Sequence, residues 1–192
     1  MAAKESTMLA LGTSAPDFSL SDFNGTLHSL NDFKHAKGLV VAFICCHCPF
    51  VQHIRHEFAR FAREYQAKGM AVIAIAPNDL QAYPQDGPAG MKQEALMLGY
   101  SFPYLLDATQ SVAKAYQAAC TPDIYLFDGA QKLFYRGQFD ASRPRNAIPV
   151  SGADLRSAAD ALLSGKPAPA DQRPSIGCSI KWVPGNEPGY AH

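Results

Sequence analysis

The sequence predicts one α/β domain: a central mixed sheet flanked by helices, with an N-terminal β-hairpin and an extended C-terminal tail. Three patterns carry this reading. Leu39 to Ile44 and Met70 to Ala76 are apolar throughout, as in strands buried on both faces. Between them, Phe50 to Lys68 sets apolar residues three and four apart, which makes a single helical stripe. A strand–helix–strand succession of this kind leaves its two strands parallel. Further on, Ile124 to Phe127 and Leu133 to Arg136 flank Asp128-Gly129, and such a hairpin adds antiparallel strands to the sheet.

The elements follow in order. Phe18 to Leu20 and Thr26 to Leu30 flank Asn24-Gly25, a pair that tolerates positive φ and closes a hairpin. In the long helix Val51, Ile54, Phe58, Phe61, Ala62 and Tyr65 share one face, and Gly69 is a fitting stop. Pro77 to Ala89 is rich in proline, glycine and acids and reads as a surface loop. Met91 to Leu98 reads as a short helix, Tyr104 to Leu106 as a short strand, and Gln110 to Ala119 as another helix. Ala153 to Leu163 closes the domain, 1–165, with a helix ended by Ser164-Gly165. Residues 166–192 form the tail. Ile176, Cys178, Ile180 and Trp182 alternate with small or polar residues, so this stretch is expected to dock on the same domain as an extended segment.

Composition narrows the function. At 192 residues the chain can bury one good core. Lys plus Arg and Asp plus Glu number 17 each, so the formal net charge is zero. This balance gives no electrostatic reason to expect nucleic acid or an anionic membrane as partner. No apolar stretch approaches the ~20 residues of a membrane span, and Met1 to Pro16 lacks the apolar core of a signal peptide. A cytoplasmic location is therefore expected. No solenoid or propeller repeat is found. Five cysteines is an odd set, and three fall in one turn. In a reducing compartment such clustering points to catalysis or metal binding rather than to structural disulfides.

The turn is Ile44-Cys45-Cys46-His47-Cys48-Pro49. A buried strand that ends in Cys-x-x-Cys and runs into a helix is the layout of a thiol–disulfide redox site. A helix N-terminus stabilises a nearby anion by roughly 0.3–1 kcal/mol, up to ~2 when partly buried. At ~1.36 kcal/mol per pKa unit that lowers a thiol by at most about 1.5 units. A further donor is needed, and His47 is the local candidate. Cys45 is accordingly expected to attack, Cys48 to resolve and His47 to favour the thiolate.

Further motifs stand beside the turn: Ala15-Pro-Asp-Phe18, Cys120-Thr-Pro-Asp123, Tyr135-Arg-Gly-Gln138 and Ser175-Ile-Gly-Cys-Ser-Ile-Lys-Trp-Val-Pro-Gly-Asn-Glu-Pro188. Together they resemble a thioredoxin-fold, peroxiredoxin-like (AhpC/TSA-related) family of bacterial redoxins, over nearly the whole chain. The resemblance implies that Thr121-Pro122 is a cis-proline loop facing the redox cysteines and able to pair with a substrate backbone. It also implies an external thiol reductant, a disulfide-containing protein or a low-molecular-weight thiol or peroxide as substrate, and no organic cofactor.

It opens a second register as well. Peroxiredoxins carry Thr-x-x-Cys-Pro at this place, which would make Cys48 the peroxidatic cysteine and put Cys45 at the threonine. Arg136 and Arg143 are the candidates for that family's arginine. A copper- or zinc-binding role, with His53 and His56 near the same turn, is the rival from a different class. Three thiols keep two readings each. Cys46 is a small half-buried residue or a spare resolving thiol. Cys120 is a buried helix-end residue or a neighbour of the redox pair. Cys178 anchors the tail or resolves Cys45 or Cys48.

Overall fold

The computed structural model describes residues 3–191. The chain runs β1 (Ala3–Glu5), β2 (Ser19–Ser21), β3 (Leu27–Ser29), β4 (Gly38–Phe43), α1 (Pro49–Ala67), β5 (Ala71–Ala76) and α2 (Pro88–Leu98). It continues through β6 (Tyr104–Leu106), α3 (Ser111–Ala115), β7 (Cys120–Thr121), β8 (Asp123–Asp128), β9 (Leu133–Gly137), α4 (Ala153–Leu163) and β10 (Ile176–Ser179). Five strands form the main sheet in the order β6-β5-β4-β8-β9. β4, β5 and β6 are parallel, whereas β8 and β9 run antiparallel, so the sheet is mixed as the sequence predicts.

The all-apolar composition of β4 follows from its central place. Val40, Ala42 and Ile44 face one core with Phe58, Phe61, Tyr65, Leu155 and Ala158. Leu39, Val41 and Phe43 face a second core with Ile73, Ile75, Tyr116, Tyr125 and Phe127. A strand with two buried faces cannot afford a polar position on either. The stripe on α1 is buried from Val51 to Tyr65, and Gly69, at φ +95°, ends the helix in the left-handed region that glycine enters freely.

Three expectations change. The β2–β3 hairpin forms, but Asp22 rather than Asn24 shapes its turn. The Asp22 carboxylate accepts the N–H groups of Asn24 (2.8 Å) and Thr26 (2.9 Å), and Gly25 supplies the positive φ. The helix expected from Gln110 to Ala119 is only Ser111–Ala115, with Gln110 and Gln117 in left-handed backbone at its ends. Gln110 is fully buried and ties down the tail: its amide donates to Lys181 O (2.9 Å) and its carbonyl accepts Val183 N–H (2.9 Å). The loop after β5 lies at the surface over Gln81, Ala82, Pro84, Gln85, Pro88 and Ala89, but it turns Asn78, Asp79 and Asp86 inward, where they are buried.

The tail docks through β10, which lies between β1 and β7 and is antiparallel to both. This small sheet places Cys178 opposite Thr121 and Gly177 against the Thr121 backbone. A methyl group on Gly177 would stand 2.0 Å from Thr121 O. Only a glycine lets the tail approach that closely.

Candidate active site

β4 ends at Phe43, at the carboxyl edge where an open α/β sheet presents its ligands. The chain bends through Cys45–His47, and Cys48 caps α1 in extended conformation with Pro49 in the first turn. One carboxylate holds the bend. Asp86, fully buried, accepts the backbone N–H groups of Cys46 (2.9 Å) and His47 (3.2 Å), faces His47 Nδ1 at 2.6 Å and accepts Asn78 Nδ2 at 2.8 Å. Sequence reasoning missed this residue. An acid that follows the carboxyl end of a neighbouring parallel strand is the signal that points to it, but a Pro/Gly-rich composition masks the signal.

Cys45 and Cys48 are fully buried, and Thr121 stands between them. Its hydroxyl is 3.3 Å from Cys45 Sγ and its carbonyl oxygen 3.1 Å from Cys48 Sγ. The Thr121–Pro122 bond is cis. Cys178, almost fully buried, reaches the same point from β10. Five predicted site residues thus meet: Cys45, Cys48, Thr121, Pro122 and Cys178.

The negative charge of this group belongs on Cys48. The Cys45 and Cys178 thiols and the N–H groups of Val51 and Cys178 are the neighbours that favour a Cys48 anion; their influence outweighs burial and holds Cys48 well below an ordinary thiol. The Thr121 carbonyl works the other way, because it accepts a proton only from a neutral Cys48. Those neighbours, together with the N-terminus of a 19-residue helix, outweigh the single acceptor and favour the thiolate. Cys45 is pushed far up, first by the Cys48 sulfur that takes its hydrogen bond, then by burial and by the Asp86 carboxylate. Burial and the neighbouring Cys48 raise Cys178 to about 12.

The other thiols lie apart from this exchange. Cys46, half-buried, is raised to about 12 by burial and by Glu94, and opens onto a separate cleft with His47, Arg55 and Glu94. Cys120 is fully buried, raised by burial and by Asp123, and directs its thiol to Pro122 O at 3.5 Å. Its place is that of an apolar residue under the cis-proline loop. Asp123 itself, fully buried, is raised to about 7 by burial against the donors Ala119 N–H and Tyr125 OH.

His47 turns to Asp86 rather than to Cys48, and its ring stacks on Tyr83 at 4.9 Å. Arg136 donates to Leu9 O (2.7 Å) and Gln172 Oε1 (2.7 Å) and so anchors the two ends of the chain. Arg143 lines a cleft that also holds Cys178. His53 bonds Ser142 at 2.6 Å, away from the turn, and His56 is exposed. Cys45, His47 and Asp86 place metal-type ligand atoms within 4.8 Å of one another. The Asp86 oxygens are already committed to four hydrogen bonds, which fits a rigid polar cradle better than an open metal centre.

A βαβ–ββα sheet with paired thiols at the first helix and a cis-proline beside them defines a thioredoxin-fold thiol oxidoreductase. The AhpC/TSA family profile matches residues 11–136, and the chain belongs to that family. It is 27% identical over 129 residues to the thiol-disulfide oxidoreductase ResA of Geobacillus thermodenitrificans, covering 67% of this chain and 70% of ResA. Among solved structures it is similar to a conserved protein of Geobacillus kaustophilus, with TM-score 0.94, 55% identity and coverage of 96% of this chain and 98% of that one. A Sinorhizobium meliloti protein aligns with TM-score 0.93 at 52% identity, over 94% of this chain and 99% of that one. The peroxidoxin BcpB of Mycobacterium tuberculosis, 18% identical with TM-score 0.60 over 81% of this chain and 96% of its own, shares the fold.

Proposed function

We propose that this protein carries out thiol–disulfide exchange with Cys48 as the nucleophilic thiolate and Cys45 and Cys178 as the thiols that pair with it. One observation carries the reading. Cys48 caps the N-terminus of α1, where the Cys178 thiol and backbone favour its anion, while Cys45 faces the Asp86 carboxylate. The roles expected for Cys45 and Cys48 are therefore exchanged in this proposal. His47 becomes a positioning residue that locks the turn through Asp86, and the Thr121 carbonyl and hydroxyl aim the two sulfurs. Exchange at Cys48 breaks a substrate disulfide, forms a mixed disulfide and releases one thiolate. Attack by Cys45 or Cys178 then releases the second thiolate and leaves an internal disulfide. The proposal places this cycle in the cytoplasm, where an external thiol returns the protein to its reduced state. No helix among the described residues is long and apolar enough to cross a membrane.

Side-by-side assays of 2-hydroxyethyl disulfide reduction and hydrogen peroxide consumption test the reading, with wild type, Cys45→Ser, Cys48→Ser and Cys178→Ser. Loss of disulfide exchange in Cys48→Ser alone supports it. Retention of exchange in Cys48→Ser with loss in Cys45→Ser refutes the assignment of the nucleophile. Thiol peroxidase activity is the second reading. It is favoured by the Cys48-Pro49 sequence at the helix cap and by the Thr121 hydroxyl 3.3 Å from Cys45 Sγ. Peroxide turnover that depends on Cys48, with no disulfide exchange, would select it.

A further inference from the structure

The edge of β7 beside the cis-proline is where a substrate strand would pair, and the chain itself fills it. β10 pairs there, with Cys178 opposite Thr121 and Ser179 opposite Cys120. Its other edge is taken by β1. Gly177 is packed so tightly on Thr121 that no side chain fits between them. A peptide has no free backbone to pair with at this site while the tail is docked. The sulfur with the thiolate, Cys48, is fully buried, and Cys178 is the member of the set that retains some exposure, 4%.

Cys178 opens into a cleft of ≈ 380 Å³ lined by Ala3, Pro49, Phe50, Arg143, Pro144 and Arg145. That is within the ~300–1,000 Å³ of small-molecule sites. Two arginines and no carboxylate are found among the described lining residues. Phe50 and the two prolines give an apolar wall. Arg143 is held in place by Asp140 O (2.7 Å), Ser142 O (2.7 Å) and Gln138 Oε1 (2.5 Å), so its charge is fixed at the rim. Arg145 is exposed. The N-terminus of α1 adds its own preference for anions.

We propose that this cleft receives a small thiol bearing carboxylates, and that this thiol reduces the protein by attacking Cys178 in a Cys48–Cys178 disulfide. The proposal deepens the exchange reading above and rests on it. The thiolate of the donor bonds Cys178 Sγ, the S–S bond breaks, and its electron pair leaves on Cys48. A second donor thiolate attacks its own sulfur in the mixed disulfide, releasing the donor disulfide and Cys178 thiolate, which takes up a proton. The direction follows from the site: the attacked sulfur faces the cleft, and the leaving sulfur is the one whose anion is stabilised, and thiolates of low pKa leave fastest.

The test starts from protein oxidised to the Cys48–Cys178 disulfide, verified by peptide mapping. Its reduction is timed with glutathione (anionic), 2-mercaptoethanol (neutral), cysteamine (cationic) and a thioredoxin protein. Rates are corrected for each thiol's ionised fraction. Glutathione is expected to exceed 2-mercaptoethanol by about tenfold at low salt, with cysteamine slowest. Arg145→Glu should cut the glutathione-to-mercaptoethanol ratio about fivefold or more, and ~1 M salt should erase it. Equal corrected rates for the three small thiols, or reduction by thioredoxin alone, would overturn the proposal. Should no Cys48–Cys178 disulfide form, the attack on Cys178 is refuted together with that pairing. The cleft is then read separately by titrating reduced protein with S-methylglutathione, which cannot exchange. Shifts of the Phe50 and Cys178 amide signals, weakened in Arg145→Glu, support the cleft as an anion site; their absence refutes it.

Discussion

Cys178 stands opposite Thr121 across the β7–β10 pair, and the Thr121 carbonyl lies 3.1 Å from Cys48 Sγ. The tail therefore delivers a thiol and a backbone N–H to the capping cysteine of α1 from a point about 130 residues further along the chain. Whether Cys48 ionises is decided at this junction as much as within the Cys-x-x-Cys turn.

Thiolate absorbance at 240 nm, followed against pH, is expected to show one thiol titrating below neutrality in the reduced protein and none in Cys48→Ser. In Cys45→Ala the titration should move up. Removing a donor weakens the anion relative to the thiol, and a hydrogen bond to a charged group contributes ~1.5–3 kcal/mol, or about 1–2 pKa units. No movement in Cys45→Ala would show that the Cys45 thiol does not donate to Cys48.

Gly177→Ala should undock β10. The new methyl would stand 2.0 Å from Thr121 O, a backbone atom that cannot rotate away. Cys48, fully buried in the native protein, should then be alkylated by iodoacetamide about tenfold faster or more under native conditions. A variant that folds and keeps the native alkylation rate would show that the tail does not cover the thiol.

Asp86→Ala removes the shared acceptor of two backbone N–H groups, the His47 ring and Asn78. Each buried donor left unpaired costs ~1–3 kcal/mol, so urea unfolding should show a loss of about 3 kcal/mol or more. Amide exchange at Cys46 and His47 should accelerate. Asp86→Asn, which keeps one acceptor oxygen, should lose less.

Asp123 gives stability a pH dependence of known sign. Burial raises its folded pKa to about 7 from the ordinary value of 3.8. The folded state thus binds the proton more tightly, and this stability contribution is present below pH ~4 and lost as pH rises to ~7. The difference between wild type and Asp123→Asn should fall across that window, by an amount on the order of 4 kcal/mol. A flat difference would show that the carboxylate is neutral, or charged, in both states throughout.

The sequence alone defined the βαβ unit around α1, the second hairpin, the thiol turn at the end of a buried strand and the Thr121-Pro122 loop. These are local signals: a run of apolar residues, a helical stripe, a turn pair, a cap. The same local view located Cys178 but left its partner open. It could not say which of Cys45 and Cys48 carries the charge, because that depends on donors from β10 and on the Asp86 carboxylate, which approach through space. Nor could it separate Asp86 from a solvent loop, or foresee that the cis-proline edge is filled by the chain's own tail. Periodicity reports which face of an element is buried; it carries no information on which distant group will meet that face. Charge at a sulfur is a sum over everything within a few ångströms, and only the closed fold fixes that sum.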